Sequence, residues 1–313
     1  MSGRHGSSLV VLISVCTIAL MPRGEHAAEP WPPPVGMPAA DPQKILDRLF
    51  GEETKEDEKA LAQVEVSVQE ERQMGETAVG SFLASLRQRK IAVVSRGKDA
   101  EYLRDLVAVV RPMMAQANRY PTIRTCVAQS SECEARSFPG GTIVFFRGLL
   151  ELAGSEAAVV GIVGHELSHL DRGHLLSRAR RIKLAQQTLA GKKNGVSPEQ
   201  FLDAGTKFTQ IWTHPFRPED EAVADSDGVH WACRAGYDPR EMAKLFLALG
   251  EQQKNRQFPL PTFLQSHPEP QSRHQAIMKL YGEWQKAHPN EQLDVARENL
   301  QRRIARSHQR FDK

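Results

Sequence analysis

The chain has 313 residues, 40% of them hydrophobic and 25% charged, enough to bury one large core or two ordinary ones. Its formal net charge of +3 is close to balance and its basic residues are spread along the sequence, which excludes a nucleic-acid partner at the level of the whole chain. Beyond the N-terminus no apolar run reaches the roughly 18 residues of a membrane span, which argues against a multi-spanning protein.

Arg4 and His5 precede the apolar run LVVLISVCTIALM, Leu9 to Met21, with small residues following at Ala27 and Ala28. This is the profile of a secretory signal peptide over residues 1–28, and the run is shorter than the roughly 20 residues that cross a bilayer. Export is therefore expected, with an uncleaved N-terminal anchor as the alternative. Residues 29–42, EPWPPPVGMPAADP, form a proline-rich linker that opposes helix. Ile45 to Gln73 is charged and helix-compatible, while Glu76 to Lys90 and Ala100 to Asn118 carry apolar residues at amphipathic-helix spacing.

The period then changes. TIRTCVA (Thr122 to Ala128) and TIVFF (Thr142 to Phe146) read as strands, with a turn at Pro139-Gly140-Gly141 before the second. Cys126 and Cys133 flank VAQSSE, so a disulfide closing a hairpin is expected in an oxidising compartment, two thiols being the alternative. Cys233 reads as an inert buried thiol. Ser155 offers an N-cap for the next helix, and further helices are expected at 199–212, 218–234 and 239–253, with a proline-rich loop at 257–270 and helix again near 271 and 291. The expectation is an α+β, mostly helical domain over 43–290 with a small sheet. Residues 291–313 would form a basic C-terminal helix or tail, solvated, or in peripheral contact with anionic lipid.

The helix after Ser155 contains VVGIVGHELSHLDRGH, Val159 to His174. At about 100° per residue, His165 and His169 lie about 40° apart and can both aim imidazole nitrogens at one metal ion. Glu166 beside them is placed to take a proton from water without itself ligating. The apolar VVGIVG turn before them suits a cleft floor. His174 is tempting as a third ligand, but position 172 is Arg where a glycine would be needed to turn the chain, and on a continuing helix His174 lies about 180° from His165. It is read as a polar residue near the helix end. A carboxylate from a second helix is the other solution: in FRPEDEAVADSDGVHWA, Glu221 and Asp225 form an i,i+4 acidic pair, so that Glu221 can bind metal while Asp225 accepts the distal N–H of a ligand histidine. Three protein ligands leave a fourth position open, as at a catalytic zinc.

At these residues the chain resembles the HtpX and CAAX-prenyl-protease family of zinc metallopeptidases, particularly its soluble, exported BepA-like branch. The resemblance runs from about Glu70 to Gly282 and rests on PGGTIVFFRGLLELAGSEAAVVGIVGHELSHLDRGH, then EDEAVADSDG, RAGYDP and SHPEPQSR, in that order. It implies a gluzincin-type fold with a small sheet beside the HExxH helix. One Zn2+ per subunit would be held by His165, His169 and Glu221, with Glu166 as base and Asp225 behind the ligands. It also implies an edge strand at Thr142, Ile143, Val144 and Phe145, where an extended substrate adds by main-chain hydrogen bonds. His267 and Arg273 match a downstream His-Pro and Arg element near the metal: His267 would donate to the oxyanion or cap the zinc, and Arg273 would fix local charges. The chain departs from the family in EARSFPGG before the turn and in lacking the membrane spans of other branches. The function implied is a periplasmic zinc metalloendopeptidase acting on misfolded or unassembled envelope proteins, with protein or peptide substrates and envelope assembly machinery as partners. The alternative is a zinc-stabilised, chaperone-like binding module that does not cut.

Overall fold

The computed structural model describes residues 59, 61–190, 212, 216–254 and 270–311. The expected signal peptide and linker, nearly all of the helix expected at 199–212, and the proline-rich stretch with His267 lie outside these residues. What is described is a mostly helical α+β fold around a four-stranded sheet.

Helix α1 (Val68–Gln88) starts with a capping box in which Glu70 N–H donates to Ser67 Oγ at 3.2 Å and Ser67 N–H donates to Glu70 Oε2 at 2.8 Å. It joins the end of the stretch Ile45 to Gln73 to the stretch Glu76 to Lys90 in one helix. After β1 (Val93–Val94), α2 (Lys98–Val110) gives way to a short 3-10 turn at Arg111–Met113, where Pro112 interrupts the α ladder. Strands β2 (Arg124–Ala128), β3 (Ala135–Phe138) and β4 (Thr142–Phe146) follow, then the short α3 (Arg147–Leu152).

The sheet order is β1-β2-β4-β3, with β2 and β4 parallel and the other two pairs antiparallel. Two expectations are corrected by this order. First, Thr142, Ile143, Val144 and Phe145 are not an edge: β4 is bracketed by β2 and β3, both main-chain flanks are occupied, and the whole strand is buried. Its unbroken run of β-branched and aromatic residues is what a strand covered on both faces requires. The outer strand on that side is β3, whose further flank pairs with no other strand among the described residues.

Second, no disulfide joins Cys126 to Cys133. The expected disulfide-closed hairpin after β2 does not form, because β2 pairs in parallel with β4 and Cys133 lies in the connection on the other side of the sheet. Cys126 packs on the α1 side of the sheet with Val144 and Phe146, while Cys133 is buried on the other side, where its thiol lies 3.4 Å from Gln252 Oε1. Cys233 is buried, and burial pushes its thiol up to about 12.

On the face of the sheet opposite α1 the larger core gathers α2, α4 (Glu156–Asp171), α6 (Pro218–Arg234) and α7 (Arg240–Lys254). Helix α5 (His174–Ala190) follows α4 directly, and α8 (Pro270–Ala287) and α9 (Arg297–Arg302) close the chain. The C-terminal segment is not a solvated tail. Arg303 pairs with Asp99 at 2.8 Å, Arg306 and Arg310 both pair with Asp294, and Arg306 N–H donates to the buried Glu156 carboxylate at 2.9 Å. Its backbone also serves the first turn of α4. The carbonyls of Ala296 and Val295 accept from Glu156 N–H and Ala157 N–H at 3.2 Å each, and Ser155 Oγ accepts from Ala158 N–H at 3.3 Å. Otherwise those N–H groups would be buried without partners.

Helices α4 and α6 cross in backbone contact. A Cβ on Gly164 would lie 2.9 Å from Gly228 Cα, and one on Gly228 would lie 2.8 Å from Gly161 O. At the end of α4 the crossing is pinned by Asp227, which accepts from Arg172 Nε and Nη2 at 2.7 and 2.6 Å and from Ser168 Oγ at 2.6 Å. Gly228→Ala is expected to destabilise the protein by about 1–3 kcal/mol, the usual cost of overpacking, measured as a lower urea midpoint. Burial alone would raise the Asp227 carboxyl, but the Arg172 and Ser168 bonds outweigh it and hold the group below the usual aspartate range. Its contribution is therefore complete above the unfolded-state value and is lost as pH falls through the lower folded one. Asp227→Asn should show a smaller acid-induced drop in urea midpoint than the parent below the ordinary aspartate range.

Candidate metal centre

The crossing brings one face of α4 against one face of α6. His165 Nε2 and His169 Nε2 lie 3.2 Å apart, and the Glu221 carboxylate oxygens lie 3.2 Å from the first and 3.7 Å from the second. All three residues are buried, and their ligating atoms lie within 4.8 Å of one another. Two nitrogens bound to one tetrahedral zinc at about 2.0–2.1 Å sit about 3.3 Å apart, so the two imidazole nitrogens stand as zinc would hold them, with the Glu221 carboxylate beside both. Among the described residues this is the one His/Cys/Asp/Glu group with such convergence.

Electrostatics favour a cation at the same point. Burial disfavours a charged His165, yet its bonds to Asp225 and Glu221 outweigh that and raise the imidazole to about 10. Two carboxylates on one buried ring call for positive charge where the ligating atoms meet. Behind His165, Nδ1 lies 2.9 Å from Asp225 Oδ1. Asp225 also accepts from Arg273 Nε at 2.7 Å and from Arg273 Nη2, and Arg273 packs its guanidinium 3.6 Å from the Phe246 ring centroid. Burial opposes the Asp225 charge, but Arg273 and His165 hold the carboxyl well below the usual range. The sequence-predicted residues His165, His169, Glu221, Asp225 and Arg273 thus come together, drawn from α4, α6 and α8.

Glu166 is buried on the β3 side of α4. Burial raises its carboxyl, with His165 and the adjoining Ser137 of β3 pulling the other way. The outer strand, not β4, therefore runs beside the expected base.

His174 is where the sequence reading fell short. Helix α4 stops at Asp171, and Gly173 adopts φ +77 just beyond the Arg172 cap, a left-handed turn that glycine takes freely. The chain reverses, and His174, the first residue of α5, returns to place its Nδ1 2.9 Å from His169 Nδ1. It lies outside the ligand cluster but directly behind a member of it. Burial pushes its imidazole down to about 4. Phe216, which carried no local signal, stacks on the His169 ring at 3.9 Å between centroids, and the Arg178 guanidinium lies 3.7 Å from the Phe216 centroid. The Arg-Gly pair before His174 was the available clue to the break.

With this geometry in place, the comparisons with known proteins are specific. The family model for peptidase family M48 matches residues 101–281. The chain is 27% identical over 159 residues to the beta-barrel assembly-enhancing protease of Escherichia coli (strain K12), covering 46% of this chain and 31% of the relative. It is 27% identical over 172 residues to the Yersinia pestis protein of the same name, covering 51% and 35%. It is 29% identical over 133 residues to mitochondrial metalloendopeptidase OMA1 of Arabidopsis thaliana, covering 42% and 26%. The matches thus span about a third or less of the length of these relatives.

Replacing Arg273 by Met would leave the Asp225 charge buried with its strongest partner removed. The expected loss is about 3–5 kcal/mol of unfolding free energy, measured by denaturant titration. An unchanged midpoint would show that Asp225 does not depend on Arg273.

Proposed function

Because the chain belongs to peptidase family M48, we propose that it is a zinc-dependent metalloendopeptidase of the cell envelope that hydrolyses peptide bonds in misfolded or unassembled proteins. The observation that carries the proposal is the convergence of His165, His169 and Glu221 with the buried Glu166 alongside. The envelope role draws on the beta-barrel assembly-enhancing relatives and on the signal-peptide profile of residues 1–28. Among the described residues no helix is long and apolar enough to cross a membrane.

His165, His169 and Glu221 would hold the metal. Bound zinc supplies a Lewis acid that polarises the scissile carbonyl. Asp225, steadied by Arg273, keeps the His165 ring turned with Nε2 toward the metal. Glu166 takes a proton from the attacking water and hands it to the departing amine, a task suited to a buried carboxylate whose proton affinity is raised. An extended peptide adds to the outer flank of β3, which sets its main chain alongside Ser137 and Glu166.

Glu166→Gln is expected to retain about one zinc per chain and to lose casein cleavage by ~10²–10⁴-fold, the usual worth of a positioned base. His165→Ala should lose both the metal and the activity. Wild-type cleavage by Glu166→Gln would remove Glu166 from the mechanism, and zinc retained by His165→Ala with wild-type affinity would remove the metal site.

A further inference from the structure

A histidine that binds metal through Nε2 keeps its one remaining proton on Nδ1, so Nδ1 must donate to something. For His165 the acceptor is Asp225. Behind His169, 2.9 Å from its Nδ1, lies Nδ1 of His174. That atom can accept only when His174 carries its own proton on Nε2. His174 Nε2 faces Asp220 Oδ1 at 3.5 Å, and Asp220 accepts from Arg217 Nε and Nη2 at 3.1 and 3.0 Å. Every link selects the tautomer of the one before it, and the chain ends on an arginine, as the shorter Asp225 and Arg273 pair does. The ring of His174 also meets that of His169 edge-on, with centroids 5.1 Å apart, so it limits rotation as well as proton placement.

We infer that His174 is a positioning residue that fixes the tautomer and orientation of His169 for metal binding, with Asp220 and Arg217 anchoring it. The inference rests on the proposal that His165, His169 and Glu221 hold zinc. Without this partner His169 would divide its population between tautomers, and only one of them offers a free Nε2 lone pair.

The test is zinc affinity of the full chain by chelator competition, read beside the absorption spectrum of the cobalt-substituted protein. His174→Phe keeps a ring but has no acceptor, and His174→Asn places an amide oxygen near the position of Nδ1. The Phe variant should bind zinc ~10- to 100-fold more weakly, the usual cost of removing a group that orients a ligand, and the Asn variant should recover most of that loss. The cobalt spectrum should change in the Phe variant and return toward the parent's in the Asn variant. His174→Leu serves as the acceptor-free variant if the Phe protein does not fold. Equal affinities for the acceptor-free and Asn variants, whether both near wild type or both weakened, would overturn the inference. Failure of the metal site itself is read separately: parent protein and His165→Ala would then bind zinc equally.

Discussion

The backbone contact between α4 and α6 is the constraint on which the rest of the site depends. Gly164 on one helix and Gly228 on the other leave no room for a side chain between them, so the two axes approach more closely than side-chain packing would permit. His165 follows Gly164 directly, and Glu221 lies two turns before Gly228, so residues with short side chains and fixed rings meet across the crossing without reaching. A wider crossing would need longer side chains, which bring more rotamers and a looser site. The glycines cost some helix propensity, and the interdigitated core around Val160, Val163, Val229 and Ala232 offsets it.

The two histidines are steadied in different ways. His165 is backed by charge, through a buried carboxylate and a buried guanidinium that are each other's partners. His169, besides having His174 behind its Nδ1, is backed by a ring face, with Phe216 stacked on it and Arg178 over Phe216. An electrostatic brace holds a donor direction, whereas a stack holds a plane. Between them the two nitrogens are fixed both in where they point and in how they tilt.

Features set by spacing along a single helix could be read from the sequence. His165 and His169 fall on one face because four residues make about one turn, with Glu166 beside them, and Glu221 and Asp225 repeat the rule on α6. Arg273 was legible by family resemblance, and the structure brings it to Asp225. The misjudged features depend on register between distant segments. TIVFF has the composition of a strand, but nothing within it reveals that β4 slides between β2 and β3 and so becomes central. The same insertion parts Cys126 from Cys133. His174 was lost differently, through the assumption that α4 continues, although a glycine stood where a helix commonly ends. Strand β3 escaped notice because ARSF is only four residues long and its Ser137 faces a site that exists only after folding.

The C-terminal strap lies beyond the part of the chain that the family model covers, yet its carbonyls complete the first turn of the helix that carries His165 and His169. The bond from Arg306 to Glu156 joins residues 150 apart in the chain. Contacts over so long a separation form late and slowly, since loop closure must come first. In a chain made from its N-terminus, the first turn of α4 is therefore completed only after residues 295–306 have been synthesised. The order of synthesis thereby acts as a delay, separating the making of α4 from its completion.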